Sequence, residues 1–208
     1  MISKNIHELV FAFAYDYLDM IVADFVKEYR VLTAGMVSGR VLEIGAGTGA
    51  NLSFYPRNIS LTLLDKNPFM VKKLVKKTQP FDVDVEIILD NAENLPFPNN
   101  SFDSVVVTLV LCMVDDVNSI LDEIYRVLKP GGKFYFYEHI RSSHQIRSKV
   151  ENCLNPIWRC MSTGCNLNRN TNEMIMNHKF SDSKIKTTDL QLWVPWLSIK
   201  NIVGFATV

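Results

Sequence analysis

The sequence lacks the features that mark several large classes of protein. Lysine plus arginine and aspartate plus glutamate number 22 each, so the chain has no net charge with which to attract nucleic acid. The four cysteines form no CxxC pair, which predicts no metal site, and the absence of a cleavable signal predicts reduced thiols and a cytoplasmic location. No internal repeat is present, and no uncharged apolar run is long enough to span a membrane. These absences leave a globular protein and argue against nucleic acid as its substrate.

A glycine-rich turn is the strongest local pattern in the chain. Gly45, Gly47 and Gly49 follow the apolar, β-prone residues 41–44, which predicts a strand, a tight turn and the start of the next segment. Residues without a Cβ allow a nucleoside to lie against bare backbone. Because Gly45-x-Gly47-x-x-Ala50 also fits a dinucleotide fingerprint, the turn alone leaves a dehydrogenase as an alternative.

Three acidic residues follow or end three predicted strands. Glu43 stands just before the glycine turn, Asp65 ends the second strand and Asp90 ends the third. Because ligands of parallel sheets lie beyond the carboxyl ends of the strands, we expect these acids to share one site. A carboxylate at Glu43 would repel a pyrophosphate but attract an ammonium, and Asp65 suits a ribose diol. The set predicts a ligand with an amine, a ribose and an adenine but no phosphates, which is S-adenosyl-L-methionine.

Strands and helices alternate through the middle of the chain. Strands are predicted over residues 40–44, 60–64, 83–89, 102–110 and 133–140, and helices over residues 50–55, 68–77 and 115–128. This alternation predicts an α/β fold with a doubly wound parallel sheet. The last third predicts a helix over 142–161 that is broken near Asn155 and Pro156, a polar loop over 164–172, and closing strands over 185–193 and 198–208.

The N-terminal segment from His7 to Leu32 combines an apolar stripe with many charges. Its apolar residues recur at spacings of three and four, which predicts one or two amphipathic helices that pack on the core or roof a pocket. Contact with a membrane surface is the alternative. Six charged residues between Glu8 and Glu28 predict that it does not cross a membrane.

Several motifs together carry a family resemblance. They are Glu43-x-Gly-x-Gly-x-Gly, Asp65 and residues 90–97, 101–103 and 126–132, and the set resembles the class I S-adenosylmethionine-dependent methyltransferases of the quinone-biosynthesis type. The resemblance implies a Rossmann-like, seven-stranded sheet, mostly parallel with an antiparallel last strand. Residues 49–56, 108–112, 138–139 and 156–171 more narrowly resemble the methyltransferase-like thiol S-methyltransferase family. Residues 1–208 are then one domain, with a helical lid segment (1–36), a cofactor-binding core (40–140) and a helix, loop and closing strands (141–208).

The resemblance implies roles for particular residues. Cofactor-binding residues would be Glu43, Gly45, Ala46, Gly47, Gly49, Asn51, Asp65, Lys66, Asp90, Ala92, Glu93, Thr108 and Leu109. The acceptor would contact Tyr15, Cys112, His139 and Trp196, the last in a loop that joins the two closing strands. His139 would act as a base toward a thiol, and its alternative is a histidine hydrogen-bonded to backbone. Cys112 would face the acceptor or serve as a small buried apolar residue.

The predicted activity is methyl transfer from S-adenosyl-L-methionine to a small, fairly apolar acceptor, with S-adenosyl-L-homocysteine as the product. A thiol acceptor is the leading hypothesis. The alternatives are a quinone-type C-methyltransferase, a phospholipid N-methyltransferase and a cofactor-binding module without turnover. The dehydrogenase is the weakest alternative, because the three acids have no use for a pyrophosphate.

Overall fold

The computed structural model describes residues 4–81, 84–162, 164–191 and 198–208. The strands are β1 (Arg40–Ile44), β2 (Ser60–Asp65), β3 (Asp84–Leu89), β4 (Phe102–Thr108), β5 (Leu128–His139), β6 (Asp182–Gln191) and β7 (Ser198–Thr207). The helices are α1 (Lys4–Leu32), α2 (Pro68–Thr78), α3 (Val117–Val127), α4 (Gln145–Met161) and α5 (Thr171–Met176), with 3₁₀ turns at Ala34–Met36 and Leu52–Phe54.

The seven strands form one sheet in the order β3-β2-β1-β4-β5-β7-β6. Neighbours from β3 through β5 are parallel, whereas β7 is antiparallel to both β5 and β6. The predicted Rossmann-like sheet with an antiparallel last strand is therefore confirmed. The carboxyl ends of β1 to β5 share one edge of the sheet, where ligands of such folds bind.

The central strand β4 is covered by apolar side chains on both faces, so a ligand can reach the edge of the sheet but not its interior. Val105 and Val107 pack in one apolar cluster together with residues of α3, while Val106 belongs to a second cluster that includes Leu74 of α2. All three valines are fully buried. A continuous run of β-branched residues is the expected composition of a parallel strand covered on both faces.

Two helices begin at side-chain caps. The Asn67 side chain accepts from the backbone N–H groups of Phe69 and Met70 at the start of α2, and Pro68 occupies the first turn. The Asp116 side chain caps α3 in the same way. These caps satisfy N–H groups that have no partner inside the helix, which fixes where the connections leave the sheet edge.

The structure differs from the sequence-based expectation at several places. The break predicted near Asn155 is wrong, because α4 continues through Pro156. Proline has no N–H, so the helix loses the hydrogen bond to the Asn152 carbonyl. Asn152 lies on an exposed turn, where its carbonyl can bond to water instead. Residues 50–55 form a turn with a short 3₁₀ segment instead of a helix. Strand β5 starts at Leu128, five residues earlier than predicted. Helix α5 occupies a segment in which the sequence predicts no helix.

Helix α1 lies over the carboxyl edge of the sheet. Val26 and Tyr29 on its inner face are buried, and the ring of Tyr29 stacks on that of Tyr137 with centroids 4.6 Å apart. Among the described residues, no helix combines the length and the apolar content needed to cross a membrane.

Candidate functional site

The glycine turn follows β1 directly and crosses the end of β2. The backbone N–H groups of Gly45 and Ala46 both donate to the Leu64 carbonyl, at 2.8 and 3.0 Å. Gly45 has a φ of 71°, and a Cβ there would collide with the Val110 side chain. Gly47 has a φ of 57° and faces the ring of Tyr15, to which an added Cβ would approach within 3.6 Å. The left-handed backbone therefore favours glycine at both positions, the Val110 side chain also excludes a Cβ at Gly45, and Tyr15 covers the turn.

Asp65 fixes the turn from the end of β2. Its Oδ2 accepts from the Gly47 N–H and its Oδ1 from the Asn67 N–H, both at 2.8 Å. The residue is 9% exposed, and this burial raises the pKa of its carboxyl above the ordinary value despite those two hydrogen bonds. Each carboxylate oxygen has a further lone pair, so the group can still accept hydroxyl donors.

Glu43 lies behind the turn in a buried polar network. Its two oxygens accept from Asn51 Nδ2 and from the Tyr55 hydroxyl, both at 2.8 Å. Asn51 Nδ2 also donates to Thr108 Oγ1 at 3.1 Å. Burial raises the pKa of Glu43 to about 7, against the lowering effect of these donors and of Arg30. The network connects β1 to β4 below the glycine turn.

Helix α1 completes this network from the opposite side. Arg30 Nη1 donates to Asn51 Oδ1 at 2.6 Å, and Arg30 Nη2 pairs with Asp19 at 2.7 Å. Arg30 is 5% exposed, whereas the Asp19 side chain is 23% exposed, so this ion pair is partly buried. Desolvation raises the pKa of Tyr15, beside Arg30, to about 12. Sequence reasoning missed Arg30, Asp19 and Tyr55, because charges inside an amphipathic helix and a tyrosine before a proline have ordinary explanations.

The segment after β3 places its acid beside the same edge. The backbone N–H of Asp90 donates to the Asp65 carbonyl at 3.2 Å, and Asp90 Oδ1 accepts from the Asn91 N–H at 2.7 Å. Asp90 and Glu93 are exposed, whereas Ala92 is buried. Lys66 is exposed next to Asp65. The predicted cofactor residues after β1, β2 and β3 are therefore brought to one edge.

The loop after β4 turns away from the sheet at Leu109. This residue has a φ of 57°, which ends the strand at Thr108, two residues earlier than the sequence predicts. The next N–H groups, of Val110, Leu111 and Cys112, all donate to the carboxylate of Glu138, at 2.7, 2.9 and 3.4 Å. Burial raises the pKa of Glu138 to about 7. Glu138 thus positions the loop that carries Cys112.

A second buried cluster lies on this side of the site. His139, at the end of β5, has its Nε2 2.9 Å from the Asn166 carbonyl and 3.6 Å from the sulfur of Cys165. One ligand-type atom each from Cys112, His139 and Cys165 lie within 4.8 Å of one another. Hydrogen bonds from Cys112 and His139 lower the pKa of the Cys165 thiol below its ordinary value. Sequence reasoning missed Cys165 because it stands 26 residues from His139 with no recognisable metal or redox spacing.

Asn166 joins the two segments that carry the cysteines. Its backbone N–H and its Nδ2 both donate to the Cys112 carbonyl, at 2.8 and 3.0 Å. Arg169 holds the same loop by donating from Nη1 to the carbonyls of Leu111 and Val114. The structure therefore brings Cys112 and His139 together as predicted and adds Cys165 to them. Trp196, the remaining predicted acceptor residue, lies outside the described residues.

Comparisons with known proteins agree with this arrangement. A family model described as a methyltransferase domain matches residues 42–136. Thiol S-methyltransferase TMT1A of Homo sapiens is 36% identical over 171 residues, which are 80% of this chain and 69% of that protein. The ubiquinone/menaquinone biosynthesis C-methyltransferase UbiE of Shewanella halifaxensis is 34% identical over 131 residues, which are 60% of this chain and 52% of that protein.

A solved structure shares the fold over nearly its whole length. It is described as a SAM-dependent methyltransferase from Thermotoga maritima, and it superposes with a TM-score of 0.73 over 97% of this chain and 98% of its own, at 20% sequence identity.

Proposed function

Because the chain belongs to the S-adenosylmethionine-dependent methyltransferases, in the family that includes the thiol S-methyltransferases, we propose that it transfers a methyl group to a small, fairly apolar thiol. Similarity to the human thiol S-methyltransferase, at 36% identity over 80% of the chain, is the observation that carries the choice of acceptor. The resemblance to UbiE covers less of the chain, 60%, and makes a quinol ring carbon the second candidate.

The residues at the sheet edge fit the cofactor. Asp65 would accept the ribose hydroxyls with the lone pairs that Gly47 and Asn67 leave free. Glu43 would reach the methionine amino group directly or through water, and Asp90 would accept from the adenine amine. S-adenosylmethionine supplies an electrophilic methyl group on a sulfonium.

The chain's own contribution is to hold the acceptor in line and to exclude water. In-line displacement needs little acid or base chemistry beyond that positioning. A thiolate that attacks a cationic centre loses its charge in the transition state, so apolar surroundings favour the reaction more than they would for a neutral amine. The loop after β4 supplies such surroundings, because Leu111 is fully buried and Leu109 and Val110 are partly buried.

The acceptor thiol must also lose its proton. A free thiol is only a few per cent ionised at neutral pH. We assign assistance of this step to His139, whose ring is 8% exposed at the end of β5 and is held by Asn166 and Cys165. The expected consequence is that His139→Ala lowers turnover most at pH values below the thiol pKa, near 8.5, and that the defect shrinks as the thiol ionises unaided.

A methyl-transfer screen tests the proposed function. Methyl-labelled S-adenosylmethionine would be incubated with a small alkyl thiol, a phenol, a quinol and phosphatidylethanolamine vesicles, and the labelled products identified by mass spectrometry. We expect the thioether as the principal product, and we expect Asp65→Ala to lower its formation. Label found only on the ring carbon of the quinol or on the lipid amine would replace the thiol with that acceptor.

A further inference from the structure

The Cys112, His139 and Cys165 cluster has the composition of a metal centre. Two thiols and one imidazole are ligands that zinc binds tightly, and three protein ligands with one open position are typical of catalytic zinc. Each of the three residues is at most 8% exposed. They come from three separate segments, the loop after β4, the end of β5 and the segment after α4, which is why no sequence spacing reveals them.

The distances match tetrahedral zinc. Zinc–sulfur bonds of about 2.3 Å and zinc–nitrogen bonds of about 2.0 to 2.1 Å at a tetrahedral angle separate a sulfur and a nitrogen ligand by roughly 3.6 Å. The sulfur of Cys165 and Nε2 of His139 are 3.6 Å apart. Two sulfur ligands would be roughly 3.8 Å apart, which lies inside the 4.8 Å limit that contains all three ligand atoms. Binding of the ion would also turn Nε2 of His139 away from the Asn166 carbonyl, from which it is now 2.9 Å distant, and toward the two sulfurs.

The surroundings hold the three residues in place. Asn166 donates two hydrogen bonds to the Cys112 carbonyl and follows Cys165 directly, so it fastens one cysteine segment to the other. Glu138 receives the Cys112 N–H at 3.4 Å and precedes His139. Partners of this kind around a metal centre orient its ligands. Two thiolates also neutralise a divalent cation, so the loaded site adds no net charge to a buried location.

We propose that Cys112, His139 and Cys165 bind one zinc ion, and that the acceptor thiol occupies its fourth position as a thiolate. The second half of this proposal rests on the proposed function, and in it the ion replaces His139 as the group that assists ionisation of the acceptor thiol, so the pH-dependent defect expected for His139→Ala would then reflect loss of the ion. When the ion binds, the proton on His139 Nε2 that now faces the Asn166 carbonyl would leave to solvent, together with any proton still held by the two cysteine sulfurs. When the acceptor binds, its S–H bond breaks, the proton passes to solvent and the sulfur electron pair forms the bond to zinc.

Metal content and cobalt spectroscopy test the site without any turnover. The purified 208-residue chain would be loaded with Zn²⁺ or Co²⁺, freed of unbound metal and analysed by elemental mass spectrometry. We expect one equivalent of metal, and with Co²⁺ a thiolate-to-cobalt charge-transfer absorption and the visible bands of a tetrahedral ion. Cys165→Ser and His139→Ala should each abolish stoichiometric binding.

The chain offers a matched control. Cys153, Cys160 and His144 are exposed, and a variant with both cysteines changed to serine and His144 to alanine should retain the metal and its spectrum. Circular dichroism would confirm that each variant folds. A folded parent protein that binds no metal, or metal binding that survives Cys165→Ser but is lost in the control variant, would overturn the site.

Addition of a small alkyl thiol to the cobalt protein tests the fourth position. We expect the thiol to intensify the charge-transfer absorption, whereas the corresponding alcohol leaves it unchanged. An unchanged spectrum would overturn the role of the metal in acceptor binding. Bound metal without thiol methylation would count against the proposed function alone, and thiol methylation by a protein that binds no metal would count against the metal site alone.

Discussion

At the scale of single residues, buried carboxylates organise this site by accepting backbone and side-chain N–H groups. Asp65 holds the glycine turn, Glu43 holds Asn51, and Glu138 holds the loop after β4. Each is nearly inaccessible to water, and burial raises the pKa of all three. A raised pKa means that folding destabilises the ionised form of the carboxyl group. These groups therefore lower the free energy of unfolding by an amount that increases with pH.

Glu43→Gln should therefore change the pH dependence of stability. The pKa of Glu43 is about 7 in the folded chain and near 4.3 in an unfolded one. Between these values the folded state keeps a proton that the unfolded state has released, so the free energy of unfolding falls as pH rises. The variant lacks this contribution, which amounts to at most about 4 kcal/mol.

Urea unfolding between pH 4.5 and 7.5, without cofactor, measures the effect. Because Glu138 is present in both proteins, its contribution cancels in the comparison. Glu173→Gln is the matched control, because Glu173 is exposed on α5. In this variant the free energy of unfolding should depend on pH as it does in the parent. Parallel pH profiles for Glu43→Gln and the parent would show that Glu43 is already ionised across this range.

Asp65→Ala should weaken binding of S-adenosylmethionine and S-adenosylhomocysteine by the same factor. Both ligands carry the same ribose, and loss of a buried acceptor costs about 1 to 3 kcal/mol, or roughly 5- to 150-fold in affinity. The same variant also removes the acceptor of the Gly47 N–H. A circular dichroism spectrum that matches that of the parent is therefore needed to show that the variant still folds. Calorimetry with each ligand is the measurement. A variant that discriminates strongly between the two ligands would remove Asp65 from the ribose site.

At the scale of elements, polar contacts fasten the first half of α1 to the sheet edge. Asp16 accepts from Thr48 Oγ1 at 2.6 Å and pairs with Lys73 and Lys77 on α2 at 2.8 and 3.3 Å. The second half is instead held by the buried Val26, Tyr29 and Arg30. The helix therefore combines a firmly packed end with an end whose attachment depends on partly exposed charges, which salt screens.

Asp16→Ala should loosen the first half of α1 alone. We expect amide hydrogen exchange over residues 4–20 to accelerate several-fold, while exchange in β1, β4 and β5 remains unchanged. Added salt should likewise accelerate amide hydrogen exchange over residues 4–20 in the parent protein. Asp24→Ala is the control, because Asp24 is exposed on the same helix. Equal protection of residues 4–20 in parent and Asp16→Ala would mean that apolar packing alone holds this segment.

At the scale of the whole molecule, the sequence predicts the sheet far better than it predicts the second half of the site. The apolar run before Gly45 and the valines of β4 define their strands locally, and parallel order follows from the alternation with helices. The positive φ of Leu109 has no local signal, since its purpose is to direct three N–H groups to Glu138. The meeting of Cys165 with His139 depends on how the chain returns after α4, which local patterns do not encode.

The edge of the sheet as a whole should prefer an adenosine ligand without phosphates. At a concentration of 100 times its dissociation constant, S-adenosylhomocysteine should stabilise the chain by about 2.7 kcal/mol, which corresponds to a rise in Tm of about 5 to 10 °C for a domain of this size. NAD⁺ is the matched comparison, because it carries the same adenosine but adds a pyrophosphate that Glu43, Asp65 and Asp90 would repel. Thermal unfolding with each ligand, at equal concentrations, measures the difference. Equal rises in Tm would mean that the three acids do not discriminate against phosphates and that the glycine turn alone determines binding.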